Sequence, residues 1–395
     1  MSMQLPFGSP EDATDSARFS DVPRPSPLPS LDAAEFFAGI GLVRAALAEA
    51  RIEVKWANDI EPVKAQLYAA NFPDDDYVVG DIRSVAGAEL PAIDVATASF
   101  PCTDLSLAGW RRGLAGSQSG MFWQFARILH EMEERRPRAV LLENVPGFAT
   151  SHGGRDLHKA IERLNELGYS CDIFQVDARH FVPQSRPRLF IVGLRTPVGE
   201  RPIRPDTLRP RHIVEFGLRN PYLEMHAFPL HLPPADRRTL ADIVERLPAD
   251  SAEWWDERRS EQFLSSLSAL QAERLNQLRK GATTWRTAYR RTRNSVAVWE
   301  IRPDAISGCL RTARGGSSKQ ALVEAGEGSV RLRWMTGREY ARLQGVGDEF
   351  EFDGLSRNKV MFGFGDAVCV PVVAWIASTY LRPVLAGGQA QAAAG

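Results

Sequence analysis

Between residues 31 and 194 short apolar runs alternate with helix-length amphipathic stretches, a rhythm that few folds accept. Residues 33–37, 54–57, 77–79, 93–98, 139–142 and 189–192 read as strands, and 42–50, 62–71, 121–134 and 156–167 as helices. Strand–helix alternation at this spacing predicts an α/β fold, a mostly parallel sheet with helices on both faces. The alternation stops near Leu194. Residues 195–235 are rich in Pro, Arg and His without a clear period, and 236–280 read as helical and highly charged. Order of another kind returns at 331–340, where Thr336 and Glu339 form a capping box that opens a helix. The apolar segment 368–380 would fit back onto the sheet.

These boundaries divide the chain into a Pro-rich, disordered arm (1–30), a main α/β domain (31–194), a long insertion (195–330), a segment returning to the main domain (331–383) and a flexible tail (384–395). A chain of 395 residues, 44% apolar, builds a core without disulfides or metal. The four cysteines, Cys102, Cys171, Cys309 and Cys369, form no CxxC pair, which excludes a zinc ribbon and argues against a secreted disulfide scaffold. The histidines show no ligand spacing, so no metal is expected. The longest apolar run, 367–377, is 11 residues including Pro371, short of the ~20 a bilayer requires. No signal pattern opens the chain, so a cytoplasmic protein without membrane contact is expected. A net charge of −1 means that any nucleic-acid role must rest on local charge.

Phe36-Phe37-Ala38-Gly39-Ile40-Gly41-Leu42 ends the first strand and opens a helix. Glycines there let a ligand approach the backbone, and the helix start offers free N–H groups. Taken alone, this is equally a tight turn. The third glycine of a dinucleotide fingerprint is replaced by Arg44, so a pyrophosphate cradle is incomplete. Asp59, 18 residues after Gly41, follows the second strand, where an acid can grip two ribose hydroxyls. Asp81, after Gly80 and the third strand, can accept from an adenine amine beside apolar Ile82. Three such groups at successive strand ends describe a nucleoside held across a sheet edge, and the missing pyrophosphate site favours S-adenosylmethionine over NAD.

Pro101-Cys102 follows the fourth strand. A cysteine is more often a small buried hydrophobe than a nucleophile, and its company decides. Glu143-Asn144-Val145 ends the fifth strand, where a carboxyl leaving an apolar run can supply a proton. Arg186 and Arg188, alternating ahead of the next strand, would face one side and favour thiolate. Together these supply a nucleophile, an acid and an anion clamp at one sheet edge.

Phe37-Ala38-Gly39-Ile40-Gly41, Pro101-Cys102, Glu143-Asn144-Val145, Gln184-x-Arg186-x-Arg188 and Gly363-Phe364-Gly365-Asp366-Ala367-Val368 occur in the order of the DNA (cytosine-5)-methyltransferase signature, and the chain resembles that family over about 32–194 and 331–380. The resemblance implies a Rossmann-like methyltransferase sheet with a smaller inserted target-recognition domain. It implies methyl transfer from S-adenosylmethionine to C5 of a cytosine flipped out of double-stranded DNA, through a covalent bond from Cys102 to C6. Catalytic roles then fall to Cys102, Glu143, Arg188 and, in support, Arg186. Cofactor positions fall to Phe37, Gly39, Gly41, Asp59, Ile60, Asp81, Ile82, Pro101, Asp366 and Val368. The chain departs from the commonest pattern at Glu35 (usually Asp), Leu42 (often Gly), Thr103 (often Gln) and Asp366 (often Asn), which bears on cofactor geometry and leaves every reacting group in place.

Between Arg279 and Lys319 ten basic residues face two acids, Glu300 and Asp304, a local charge of +8. That is a phosphate-binding footprint on a nearly neutral chain. It coincides with the family's variable target-recognition region, so Arg286, Arg290, Arg291, Arg293 and the loop Arg314-Gly315-Gly316-Ser317 with Lys319 are expected to contact DNA, although charge runs are commonly solvated faces. Trp285 and Tyr289, interleaved with the arginines, can pack on sugar or base, whereas Trp254 and Trp255, set among acids, read as core or interface anchors. The family setting suggests a bacterial enzyme tied to restriction-modification or phage defence, with cognate defence proteins as partners and a monomer on DNA. A tRNA cytosine-5 methyltransferase and a catalytically idle DNA-binding relative are the alternatives. The absence of a Cys-Phe-Thr tripeptide speaks against the first, and intact Cys102, Glu143 and Arg188 against the second.

Overall fold

The computed structural model describes residues 30–100, 120–293, 296–311 and 319–392. The expectations placed on the N-terminal arm and on Pro101, Cys102, Arg314, Gly315, Gly316 and Ser317 lie outside the described residues. Seven strands, β1 (Leu31–Phe36), β2 (Ile52–Asp59), β3 (Tyr77–Val79), β4 (Val95–Ala98), β5 (Ala139–Asn144), β6 (Ser170–Asp177) and β7 (Pro187–Leu194), form one sheet. Their order is β3-β2-β1-β4-β5-β7-β6. The first five pair in parallel, and β7 runs antiparallel between β5 and β6. Successive residues of β1 feed opposite cores. Ala33 joins α1 (Leu42–Glu49) on one face, while Ala34 and Phe36 join α3 (Met121–Glu131) and α4 (Arg155–Glu166) on the other. Helix α2 (Pro62–Ala69) follows β2.

Strand β6 carries no legible pattern because Asp172 interrupts its apolar run. The structure shows why a charge stands there: Asp172 is wholly buried and Arg209 Nη2 lies 2.6 Å from its Oδ2. The insertion also divides differently from the expected 195–330. Helix α5 (Arg211–Arg219) buries Ile213 and Phe216 in the large-sheet core, and Met225 bridges to Cys171 of β6. These residues belong to the main body.

A second, antiparallel sheet of β8 (Thr284–Arg293), β9 (Val296–Ile301), β10 (Gln320–Gly326) and β11 (Ser329–Trp334) has the order β11-β10-β8-β9. With α6 (Glu257–Ser265) and α7 (Ala269–Lys280) it forms the small domain, which extends past residue 330. At its exit the Thr336–Glu339 capping box is present, and the same Glu339 pairs with Arg333, both side chains fully buried. The expected helix, α8 (Gly337–Leu343), begins there.

Helices α9 (Arg357–Asp366), α10 (Val370–Ile376) and α11 (Arg382–Ala392) complete the chain. The helical stretch Arg357–Gly387 has the length and apolar content of a membrane span, more than the apolar run alone suggests. In the fold 72% of its most apolar window is buried, with α10 packed on α1.

Candidate active site

The loop after β1 turns through left-handed conformations at Phe37, Gly39 and Gly41 (φ 58°, 59° and 83°). At Phe37 no glycine relieves the Cβ crowding, a cost of roughly 1–2 kcal/mol. The next amide, Ala38 N–H, donates to Asn58 O at 2.9 Å and holds the turn. At Gly41 a Cβ would stand 2.5 Å from the Phe72 ring, so glycine is required twice over. Asp59, at the end of β2, accepts from the Gly39 and Glu61 amides, each at 2.9 Å. It thereby clamps the glycine loop to the neighbouring strand. Ile60 beside it is 58% exposed, an isolated apolar surface at the rim. Asp81 caps the turn after β3 by accepting from Arg83 N–H at 2.9 Å, and Ile82 is buried beneath it. Beyond the loop, Lys64 of α2 lies 3.3 Å from Asp366 at the end of α9 and passes beside Gly39. Val368 is buried and lines the pocket around Glu143 and Arg188 instead. The structure gathers Phe37, Gly39, Gly41, Asp59, Ile60, Asp81, Ile82 and Asp366 around one edge of the sheet, where a Cβ on Gly80 would meet nothing within 4 Å. Open backbone, an exposed apolar residue and two carboxylates suit an adenosine with its ribose hydroxyls.

Glu35 lies beneath the loop. It is 1% exposed, and its carboxyl faces the backbone amides of Val43 and Arg44 in the first turn of α1. Burial pushes its pKa up to about 8, against the lowering pull of Arg44. Burial thus favours the neutral form of the acid that departs from the family pattern.

The second cluster sits where β5 ends beside β7, with Glu143 paired to Phe190 and Asn144 to Leu189. Arg188 Nε lies 2.8 Å from Glu143 Oε1, both side chains largely buried. Asn144 Nδ2 donates to Phe100 O at 3.3 Å, tying this edge to the end of the chain segment that leads into Cys102.

Arg186 faces the same side as Arg188, and both line the pocket around Glu143, but its guanidinium is spent on the backbone. It is 2% exposed and donates to Leu310 O (3.0 Å) and Ala367 O (2.7 Å). It braces the insertion and the C-terminal segment against the sheet. Burial lowers its pKa, with Arg188 adding repulsion. Gln184 performs a parallel task, accepting from Leu310 N–H (3.0 Å) and donating to Leu343 O (2.7 Å). In Gln184-x-Arg186-x-Arg188 the first two residues therefore tie three chain segments together, and the third reaches the acid.

Cys309, which the sequence did not single out, lies 3.5 Å from Arg186 Nη1 and 3.6 Å from Arg188 Nη2. Burial raises its thiol pKa, but the two guanidiniums outweigh burial and bring it below the ordinary value. A lone cysteine in a loop carries no signal that would reveal this placement.

The expected DNA-reading residues differ in availability. Arg286 is partly buried and spends its guanidinium on Thr284 Oγ1 and Trp285 O, both at 2.8 Å. Arg291 is 52% exposed but pairs with Glu300 at 3.3 Å. Arg290 projects outward from β8, Arg293 ends that strand, and Lys319 donates to Asn358 Oδ1 at 2.6 Å.

Fold and site together define an S-adenosylmethionine-dependent methyltransferase. The family described as C-5 cytosine-specific DNA methylase matches residues 31–382, and the chain belongs to it, which makes it a DNA (cytosine-5)-methyltransferase. It is similar to the Type II methyltransferase M.Bsp6I of Bacillus sp. (strain RFL6), 26% identical over 361 residues covering 90% of this chain and 100% of that protein. M.NlaX of Neisseria lactamica is 28% identical over 346 residues, 87% of this chain and 94% of its own. M.BanI of Aneurinibacillus aneurinilyticus is 28% identical over 274 residues, 68% of this chain and 58% of its own. Among solved structures, the Dnmt2 methyltransferase of S. pombe superposes with a TM-score of 0.59 at 19% identity, covering 90% of this chain and 99% of that one. A putative DNA modification methyltransferase encoded within an E. coli prophage gives 0.52 at 19% identity, with the same coverage of both. These last two likenesses concern the fold.

Proposed function

We propose that the protein methylates C5 of a cytosine swung out of double-stranded DNA, by way of a covalent bond between Cys102 and C6 of the ring. The observation that carries this reading is the Glu143–Arg188 pair on the strand whose Asn144 also holds Phe100, two residues before Cys102. The target's reacting atoms are inaccessible in the stack, so it must leave the duplex. The Cys102 thiolate forms a bond to C6. Glu143 donates a proton to N3, which neutralises the charge entering the ring and leaves C5 electron-rich. Arg188 holds Glu143 in place and orients the base. Once C5 has used those electrons to bond the methyl carbon, loss of the C5 proton to water re-forms the C5–C6 double bond, breaks the S–C6 bond and returns the thiolate, while the N3 proton goes back to Glu143.

S-adenosylmethionine, when bound, supplies the methyl group as an electrophile. Asp59 would hold its ribose, Ile60 and Ile82 the faces of adenine, and Asp81 the adenine amine. Phe37, Gly39, Gly41, Pro101 and Asp366 would complete its surroundings.

Relatives that are Type II methyltransferases support a restriction-modification or phage-defence setting in the cytoplasm, and our reading is of a monomer acting on DNA. Incubation with labelled cofactor and duplex DNA, with Cys102→Ser as the control, tests the reading. Label should enter DNA and depend on Cys102. Label in RNA alone, or none anywhere, would overturn it. Bisulfite sequencing of DNA from expressing cells then gives the modified base and its sequence context.

A further inference from the structure

We propose that the small domain holds a second nucleotide-binding pocket, between α6 and the β8–β11 sheet, that takes a single nucleotide turned out of the DNA strand. The proposal rests on the DNA-substrate reading above. The pocket encloses about 640 Å3, inside the roughly 300–1,000 Å3 range of small-ligand sites. It shares no lining residue with the cavity around Glu143 and Arg188.

Three indoles, Trp255, Trp299 and Trp334, form its apolar wall, with ring centroids 5.1–5.8 Å apart and planes mutually tilted. They pack against the small-domain core of Phe263, Leu275, Ile301, Val323 and Leu332 and stay half-buried at its rim, so each keeps part of its ring surface open to the pocket. Trp255 also keeps an Nε1–H with no acceptor. Such a buried donor is costly unless a ligand or water meets it.

The charges show what the wall receives. Arg259, Arg290 and Lys319 line the pocket, and among the described residues no acid does. The Arg259 guanidinium lies over Trp255 at 4.4 Å and Trp334 at 5.0 Å. Stacked on those rings, it extends the aromatic surface and offers a face on which a base can rest. Gln262 and Ser266 add hydrogen-bonding groups suited to a base edge. A flat π-system that carries negative charge satisfies every part of this lining. A nucleotide is such a ligand: its base stacks on indole or guanidinium, and its phosphate meets Arg290 and Lys319. Both cations belong to the basic stretch 279–320, so a strand tracking that stretch passes the mouth of the pocket.

The test uses the full chain and a 20-base-pair duplex with one bulged adenosine, a base that the cytosine site does not accept, against the fully paired duplex. The wild type should bind the bulged duplex at least tenfold more tightly. Trp299→Ala and Arg259→Gln should each abolish that preference while holding paired-duplex affinity and cofactor binding within about twofold. Arg259 is exposed, so its variant remains informative if Trp299→Ala fails to fold. Free dAMP and inorganic phosphate, titrated against tryptophan fluorescence, separate the sources: dAMP bound as tightly as bulged DNA would make this a metabolite site and overturn the proposal. So would equal affinity for both duplexes in a protein that methylates DNA, which leaves the proposed function standing. A protein that neither binds nor methylates DNA removes both.

Discussion

Arg188 Nε stands 2.8 Å from Glu143 Oε1, and the Arg186 guanidinium lies close enough to feel the acid's charge. The pairing follows from register, since β7 runs antiparallel to β5 and brings its first residues alongside the last of β5. An acid so held is aimed without being consumed by the backbone. Glu143→Gln keeps the shape and removes the proton, so kcat should fall by about 10²–10⁴-fold. DNA affinity should change little. Arg188→Lys keeps the charge but loses the planar fork, and a loss of about tenfold or more is expected. Single-turnover methyl transfer reads both. A Glu143→Gln enzyme with undiminished rate would remove Glu143 from the chemistry.

Glu35 makes stability depend on pH. Its pKa rises from 4.5 to about 8 on burial, so the folded chain keeps a proton that the unfolded chain releases. Stability is therefore greatest below about pH 4.5 as far as this group is concerned, and is lost as pH rises toward 8, by up to about 1.4 kcal/mol per unit. Glu35→Gln carries no such proton. Urea unfolding at pH 5.5 and pH 8 should show the variant gaining on the wild type at the higher pH. Parallel pH dependence in the two proteins would mean that the carboxyl is ionised in the fold.

Arg186 fastens Leu310 and Ala367 to the start of β7. Arg186→Ala takes the guanidinium from buried Leu310 O and leaves Ala367 O with Gln344 Nε2 alone, at a cost of about 1–3 kcal/mol. Arg186→Lys, reaching one carbonyl, should lie between. Chemical denaturation measures the loss. If Arg186→Ala keeps full stability and yet loses activity, the residue acts on the substrate and is no brace.

The large sheet was legible because each parallel strand is a short apolar run followed by an amphipathic helix, and each carboxyl-end motif inherits its place from that order. Glu143 and Arg188 were brought together by the ordered family motifs and not by that rhythm, since Arg188 opens β7, which runs antiparallel to β5. Strand β6 was hidden because Asp172 breaks its pattern, and only the distant Arg209 makes that charge tolerable. The small sheet was hidden for a related reason. Its strands β8 and β9 carry arginines and tryptophans in half-exposed positions, so no clean alternation shows. The roles of Arg186 and Gln184 were equally out of reach, since a buried arginine spent on backbone carbonyls and an exposed one offered to an anion are spelled alike. Cys309 is set by tertiary contact alone.

The same distinction decides which arginines of β8 read DNA. Arg290 is exposed, and Arg291, 52% exposed over the Tyr289 ring, pairs with Glu300 in a weak surface bridge that phosphate can displace. Arg286 is turned inward onto Thr284 and the backbone. Replacing Arg290 and Arg291 together by Glu should weaken DNA binding strongly at low salt. It should also reduce the slope of log affinity against log salt by about 2, one per lost phosphate contact, and cofactor binding should be unchanged. Arg286→Glu should instead lower thermal stability, because it sets a carboxylate where a buried donor is needed. Affinity measured across a salt series, with melting curves for each variant, separates the two effects. An unchanged salt slope in the Arg290/Arg291 double variant would show that the basic strand is a solvated face and that DNA lies elsewhere.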